Sequence, residues 1–123
     1  MIDLFKGAKI LEIHGLEEGS DMVTIVTDRL SVQFFHYQDC CESVRVAQVD
    51  GDIKDVVGKA IFVFEERIVE NESRWEDLDI STFYTVRTDG GDLTWRWDGN
   101  SNGYYSVDVD HRFRGEDGWV DPE

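Results

Sequence analysis

The chain is 123 residues long and sets 27 Asp and Glu against 12 Lys and Arg, a formal charge of -15 at pH 7. An apolar share of 41% with 12% aromatics is enough for one packed core, which excludes an intrinsically disordered chain. The acid excess argues against a general nucleic-acid binder, whose phosphate contacts need clustered cations, and no apolar run approaches the roughly 18–20 residues of a membrane helix.

Period-two patterning recurs along the chain, without internal repeat, heptad or low-complexity linker. The opening MIDLFKGAKI lacks a basic segment followed by a long apolar stretch, so it does not read as a secretory signal. A cytoplasmic protein with one domain over residues 1–123 is the expectation. Residues 9–14 read as the first strand, 15–21 as an acidic loop and 22–27 as the second strand. Asp28-Arg29 then makes a tight connection into a third strand over 30–37, although neither residue is the glycine such turns favour. In that strand Leu30, Val32, Phe34 and His36 share a face.

A fourth strand follows over 43–49, then a short helix with Asp52 as its N-cap and Gly58 as its stop. Residues 59–69 alternate well enough for a fifth strand, and 65–79 read as an acidic loop with a solvated centre. Strands over 80–88 and 93–97 flank Asp89-Gly90-Gly91-Asp92, the strongest hairpin signal present. Residues 98–103 read as a tight polar loop, 104–113 as the last strand and 115–123 as an acidic tail pinned by Trp119. The fold class expected is mainly β, or α+β: a single antiparallel β-sandwich or partly open barrel of seven to eight short strands with one short helix.

Three constellations could carry chemistry. His36-x-x-Asp39-Cys40-Cys41-Glu42 is dense in metal-ligand types, but adjacent cysteines point apart in an extended chain and the spacing suits no four-ligand zinc site, so two reduced, buried thiols are expected and no metal or cofactor. In residues 93–106, Trp95 and Trp97 share a face that reads as core, with Thr94 and Arg96 opposite. Aromatics there could stack on a base, Arg96 could pair with a phosphate, and Asn side chains could read a base edge or ribose. The ligand-binding candidates are Arg96, Asn100, Asn102, Tyr104 and Tyr105, joined by Arg45 and His36 from the third and fourth expected strands. The acids, Asp108 and Asp110 among them, read as surface charge; no calcium loop, phosphate-binding glycine loop or catalytic triad order is present, and no catalytic residue is expected.

The blocks Tyr37-Gln38-Asp39-Cys40-Cys41-Glu42-Ser43-Val44 and Ser101-Asn102-Gly103-Tyr104-Tyr105-Ser106, with Thr82-Phe83-Tyr84 and Trp95-Arg96-Trp97 between them, resemble a family of small phage-encoded proteins classed as a domain of unknown function. The resemblance spans roughly residues 7–113 and implies a phage or prophage origin, with no assigned activity. A phage accessory protein without enzyme motifs suggests three roles. The leading one is a non-enzymatic module that antagonises host defence by sequestering a small nucleotide-like signalling molecule. The alternative is an acidic interaction protein or DNA mimic that blocks a basic site on a host protein. A metal-dependent hydrolase built on His36 is third. Direct nucleic-acid or membrane partners are not expected, and a homo-oligomer is allowed because small sheets leave edges to pair.

Overall fold

The computed structural model describes residues 6–36, 42–71, 78–101, 107–115 and 118–120. Strands β1 (Ile10–His14), β2 (Met22–Thr27), β3 (Ser31–Phe35) and β4 (Ser43–Asp50) lead to a short helix, α1 (Ile53–Val56). The chain continues as β5 (Ile61–Glu70), β6 (Leu78–Thr88), β7 (Gly91–Ser101), β8 (Asp110–Gly115) and β9 (Gly118–Val120). These strands pair antiparallel into a five-stranded sheet of order β1-β2-β3-β8-β9 and a four-stranded sheet of order β4-β7-β6-β5. The fold is mainly β and sandwich-like, as expected, and it is not a closed barrel.

Alternation decides which side chains enter the core. Val23 and Ile25 of β2 and Val32 and Phe34 of β3 are buried, as are Val44, Val46, Phe64, Tyr84, Val86, Leu93, Trp95 and Trp97 of the four-stranded sheet. Phe34 sits at the centre, its ring centroid 4.6 Å from Tyr84 and 6.0 Å from both Phe64 and Trp95. The stacked contact with Phe64, the tilted one with Tyr84 and the edge-on one with Trp95 are of the kinds that add about 0.5–1.5 kcal/mol per pair beyond area burial.

The two sheets are laced by backbone hydrogen bonds on two sides. On one side Ile61 N donates to Ala8 O at 2.8 Å, Gly7 N to Ile61 O at 2.6 Å and Gly58 N to Ile10 O at 2.7 Å. On the other, Gly19 N donates to Val46 O at 2.7 Å and Val46 N to Ser20 O at 2.9 Å. The loop before β2 thereby covers part of the β4 edge.

Local sequence explains the turns. Between β2 and β3 the Thr27 hydroxyl ties the turn together: it donates to Leu30 O at 2.5 Å and accepts from Leu30 N at 3.1 Å and Arg29 N at 3.3 Å. At α1, Asp52 caps by accepting from Lys54 N at 2.9 Å, and Gly58, at φ +84, follows the last turn, as expected.

Several boundaries differ from the sequence reading. The fifth strand read over 59–69 is β5, which runs on to Glu70, so residues 65–70, also read with the acidic loop, are strand; Glu65 pairs with Thr85 and Glu70 with Ile80, and 72–77 lie outside the described residues. The polar stretch 98–101, read as a loop, is the second half of β7, held by β6 on one side and β4 on the other. The last long strand starts at Asp110, so Asp108 precedes β8 and does not share a strand face with Asp110. The segment read as a tail contains β9, whose Trp119 pairs with Arg114 of β8.

Candidate functional site

The β4–β7 ladder gathers residues that are far apart in sequence. Ser43 pairs with Asn100, Arg45 with Asp98 and Gln48 with Arg96; the register shift between Val46 and Gln48 is a bulge that keeps Gln48 on the same side as Arg45. Partners in an antiparallel ladder share a face, so Arg45, Arg96 and Asn100 stand together on the solvent side of the four-stranded sheet. Trp95, Trp97 and Gly99 alternate to the interior. Gly99 is required there, because a Cβ would lie 2.8 Å from Val107 Cβ and 2.9 Å from Val107 O.

Arg96 is held in place. Its Nη1 donates to Gln48 Oε1 at 3.2 Å and its Nε lies 3.0 Å from Asp98 Oδ1 in an ion pair. Ser81 Oγ donates to the same Asp98 oxygen at 2.9 Å, and Asn71 Nδ2 donates to Ser81 Oγ at 2.9 Å. The network runs across β4, β7 and β6, which fixes the guanidinium while leaving a third of the side chain exposed.

His36 and Arg45 meet at a cleft of about 210 Å³, lined also by Asp21, Met22, Phe35 and Val44. Arg45 Nη1 lies 3.6 Å from Asp21 Oδ2 at the exposed rim. His36 belongs to the interior: its side chain is 5% exposed, its Nδ1–H donates to Asp108 O at 2.7 Å, and Nε2 lies 3.6 Å from Oε2 of the fully buried Glu42. The imidazole clamps the end of β3 to the segment entering β8 and offers a ligand only one wall of the cleft.

A second cleft of about 210 Å³ lies on the outer face of the four-stranded sheet, lined by Glu65, Arg67, Phe83, Thr85 and Thr94. Register places Arg67, Phe83 and Arg96 in one row across β5, β6 and β7. The Arg67 guanidinium sits 4.7 Å from the centre of the Phe83 ring, and the Thr85 and Thr94 hydroxyls are 3.3 Å apart beside it. Sequence reasoning missed Arg67 and Phe83. The available signal was Phe83 itself, an aromatic that alternates with Ser81, Thr85 and Arg87 on a polar strand face.

Asn102, Tyr104 and Tyr105 lie outside the described residues, as do Asp39, Cys40 and Cys41. Among the described residues no group of three or more His, Cys, Asp or Glu is placed to hold a metal ion, and no helix is long and apolar enough to cross a membrane.

Compared with protein families, residues 3–111 match the model described as Domain of unknown function (DUF7448). The chain belongs to this family. No curated protein and no solved structure matches it. The DUF7448 match ends within β8 and so takes in both clefts and the whole β4–β7 ladder.

Proposed function

We propose that this DUF7448 protein is a non-enzymatic binding module that takes a small nucleotide-like ligand on the outer face of its four-stranded sheet. The observation that carries the reading is the β4–β7 register, which brings Arg45, Arg96 and Asn100 to one solvent-facing surface. A guanidinium already oriented by Asp98 and Gln48 loses little side-chain freedom on meeting a phosphate, and its planar fork suits bidentate contact. The surrounding strands supply amide and hydroxyl groups for the rest of such a ligand. The resemblance to small phage-encoded proteins gives the binding a setting: a phage accessory protein in the host cytoplasm, lowering the free concentration of a nucleotide signal on which host defence depends.

The test is native mass spectrometry of the freshly purified protein, followed by calorimetric titration of the released compound or of a nucleotide panel. A retained small molecule that carries phosphate is the expected result. Arg96→Ala should then weaken binding by about ten-fold or more while circular dichroism still reports the β fold. A folded variant that binds as well as the parent would remove this face from the function.

A further inference from the structure

We infer that the ligand's planar ring stacks on Phe83, between that ring and the Arg67 guanidinium, so that the preferred occupant is a free mononucleotide with its base in the β5–β6–β7 cleft. This rests on the reading of the outer face as the ligand face and adds where the base sits and why a base is preferred.

The argument starts from the placement of Phe83. It is only partly buried and faces away from the core, in a row with Arg67 and Arg96. An aromatic ring on the wet side of a sheet offers a flat apolar platform. One face of it is already covered by a cation: Arg67 lies over the ring at 4.7 Å. Arg67 belongs to the edge strand β5 and is exposed, so its long side chain can lift and close again over an inserted base.

The groups around the platform match the edge of a base. Glu65 supplies a carboxylate that accepts from an exocyclic amine or ring N–H, and the Thr85 and Thr94 hydroxyls donate or accept as needed. Across the row, Arg96 is in register with Phe83 on β7 and stands where a 5′-phosphate attached to the stacked nucleoside would reach. The cleft of about 210 Å³ suits a single base better than a longer chain. The protein's charge of -15 also opposes a polyanion far more than a mononucleotide, whose few charges meet local arginines.

The experiment is calorimetric titration with adenosine 5′-monophosphate, guanosine 5′-monophosphate, ribose 5-phosphate and a short single-stranded oligonucleotide, using the parent protein, Phe83→Leu and Arg67→Ala. At least one mononucleotide should bind about ten-fold more tightly than ribose 5-phosphate, as a stacked base adds affinity of that order. Both variants should erase that preference while keeping the sugar-phosphate affinity. Phe83→Leu retains an apolar side chain, and Arg67→Ala changes an exposed edge residue, so the second variant serves if the first is unfolded. Equal binding of mononucleotide and ribose 5-phosphate, or a base preference that survives both variants, overturns the stacking site and leaves the outer face as a phosphate-binding surface. Binding of none of the probes overturns the mononucleotide assignment, while the outer face as a ligand face stands or falls with native mass spectrometry and Arg96→Ala. Binding of the oligonucleotide alone replaces the free nucleotide with a nucleic-acid strand.

Discussion

Tyr84 is fully buried, yet its hydroxyl donates to Glu66 Oε2 at 2.8 Å, across the same β5–β6 rung. Burial first, and the Glu66 charge second, push the phenol above its ordinary value. The folded state therefore keeps this proton at pH values where the unfolded chain releases it. Stability that is fully present below about pH 10 should fall as the pH rises beyond it, because there the unfolded state binds fewer protons. Tyr84→Phe should flatten that alkaline decline in urea melts followed from pH 8 to 11, at a cost near neutrality of about 0.5–1.5 kcal/mol for the lost hydrogen bond. An equally steep decline in the variant would mean that Tyr84 titrates alike in both states.

At the scale of the element, β7 divides its duties by alternation. Leu93, Trp95, Trp97 and Gly99 face the core, while Thr94, Arg96, Asp98 and Asn100 face solvent. Gly99→Ala would press a methyl group against Val107, whose backbone oxygen as well as its side chain stands in the way. The substitution should lower the denaturant midpoint by the equivalent of about 1–3 kcal/mol, the usual cost of overpacking, and leave ligand affinity unchanged where the protein is folded. A variant with unaltered stability but impaired binding would place Gly99 in the site instead.

The same strand shows what could be read in advance. The inward rows, Phe34 and Val32 on β3 or Trp95 and Trp97 on β7, were legible because burial of one face leaves a period-two trace in the sequence. Asp98-Gly99-Asn100-Ser101 was not, since its composition is turn chemistry and the strand conformation comes from ladders on both sides, with β4 and β6, which no local signal records. Arg96 and Arg45 were picked out as charged residues, but their shared face depends on pairing between segments about fifty residues apart (Arg96 and Gln48 are separated by 48 positions). Arg67 falls in the strand read over 59–69, but its meeting with Phe83 depends on the β5–β6 register, which no local signal records.

For the whole molecule, the order of strands in space departs from their order in sequence twice, where β4 pairs with β7 and where β3 pairs with β8. The four-stranded sheet is assembled entirely from residues 43–101, with β5, β6 and β7 consecutive. In the five-stranded sheet, however, β3 pairs with β8, and Gln33 meets Arg112 from 79 positions away. Such long-range pairing slows folding, because loop closure precedes the contacts that reward it. A chain ended after residue 101 retains every strand of the four-stranded sheet but leaves the hydrogen-bonding edge of β3 without β8. It should aggregate on refolding, as followed by light scattering, whereas a monodisperse folded fragment would show that β8 is dispensable.

On the ribosome this ordering becomes a timetable. The β1–β2–β3 meander is synthesised before its partner β8, which arrives only after all of β4 to β7, so the nascent chain carries an open β3 edge while those strands are made. Translation speed through residues 43–110 thus sets how long that edge is exposed to neighbouring chains, and slow synthesis of this stretch would raise the demand for chaperones without altering the finished protein.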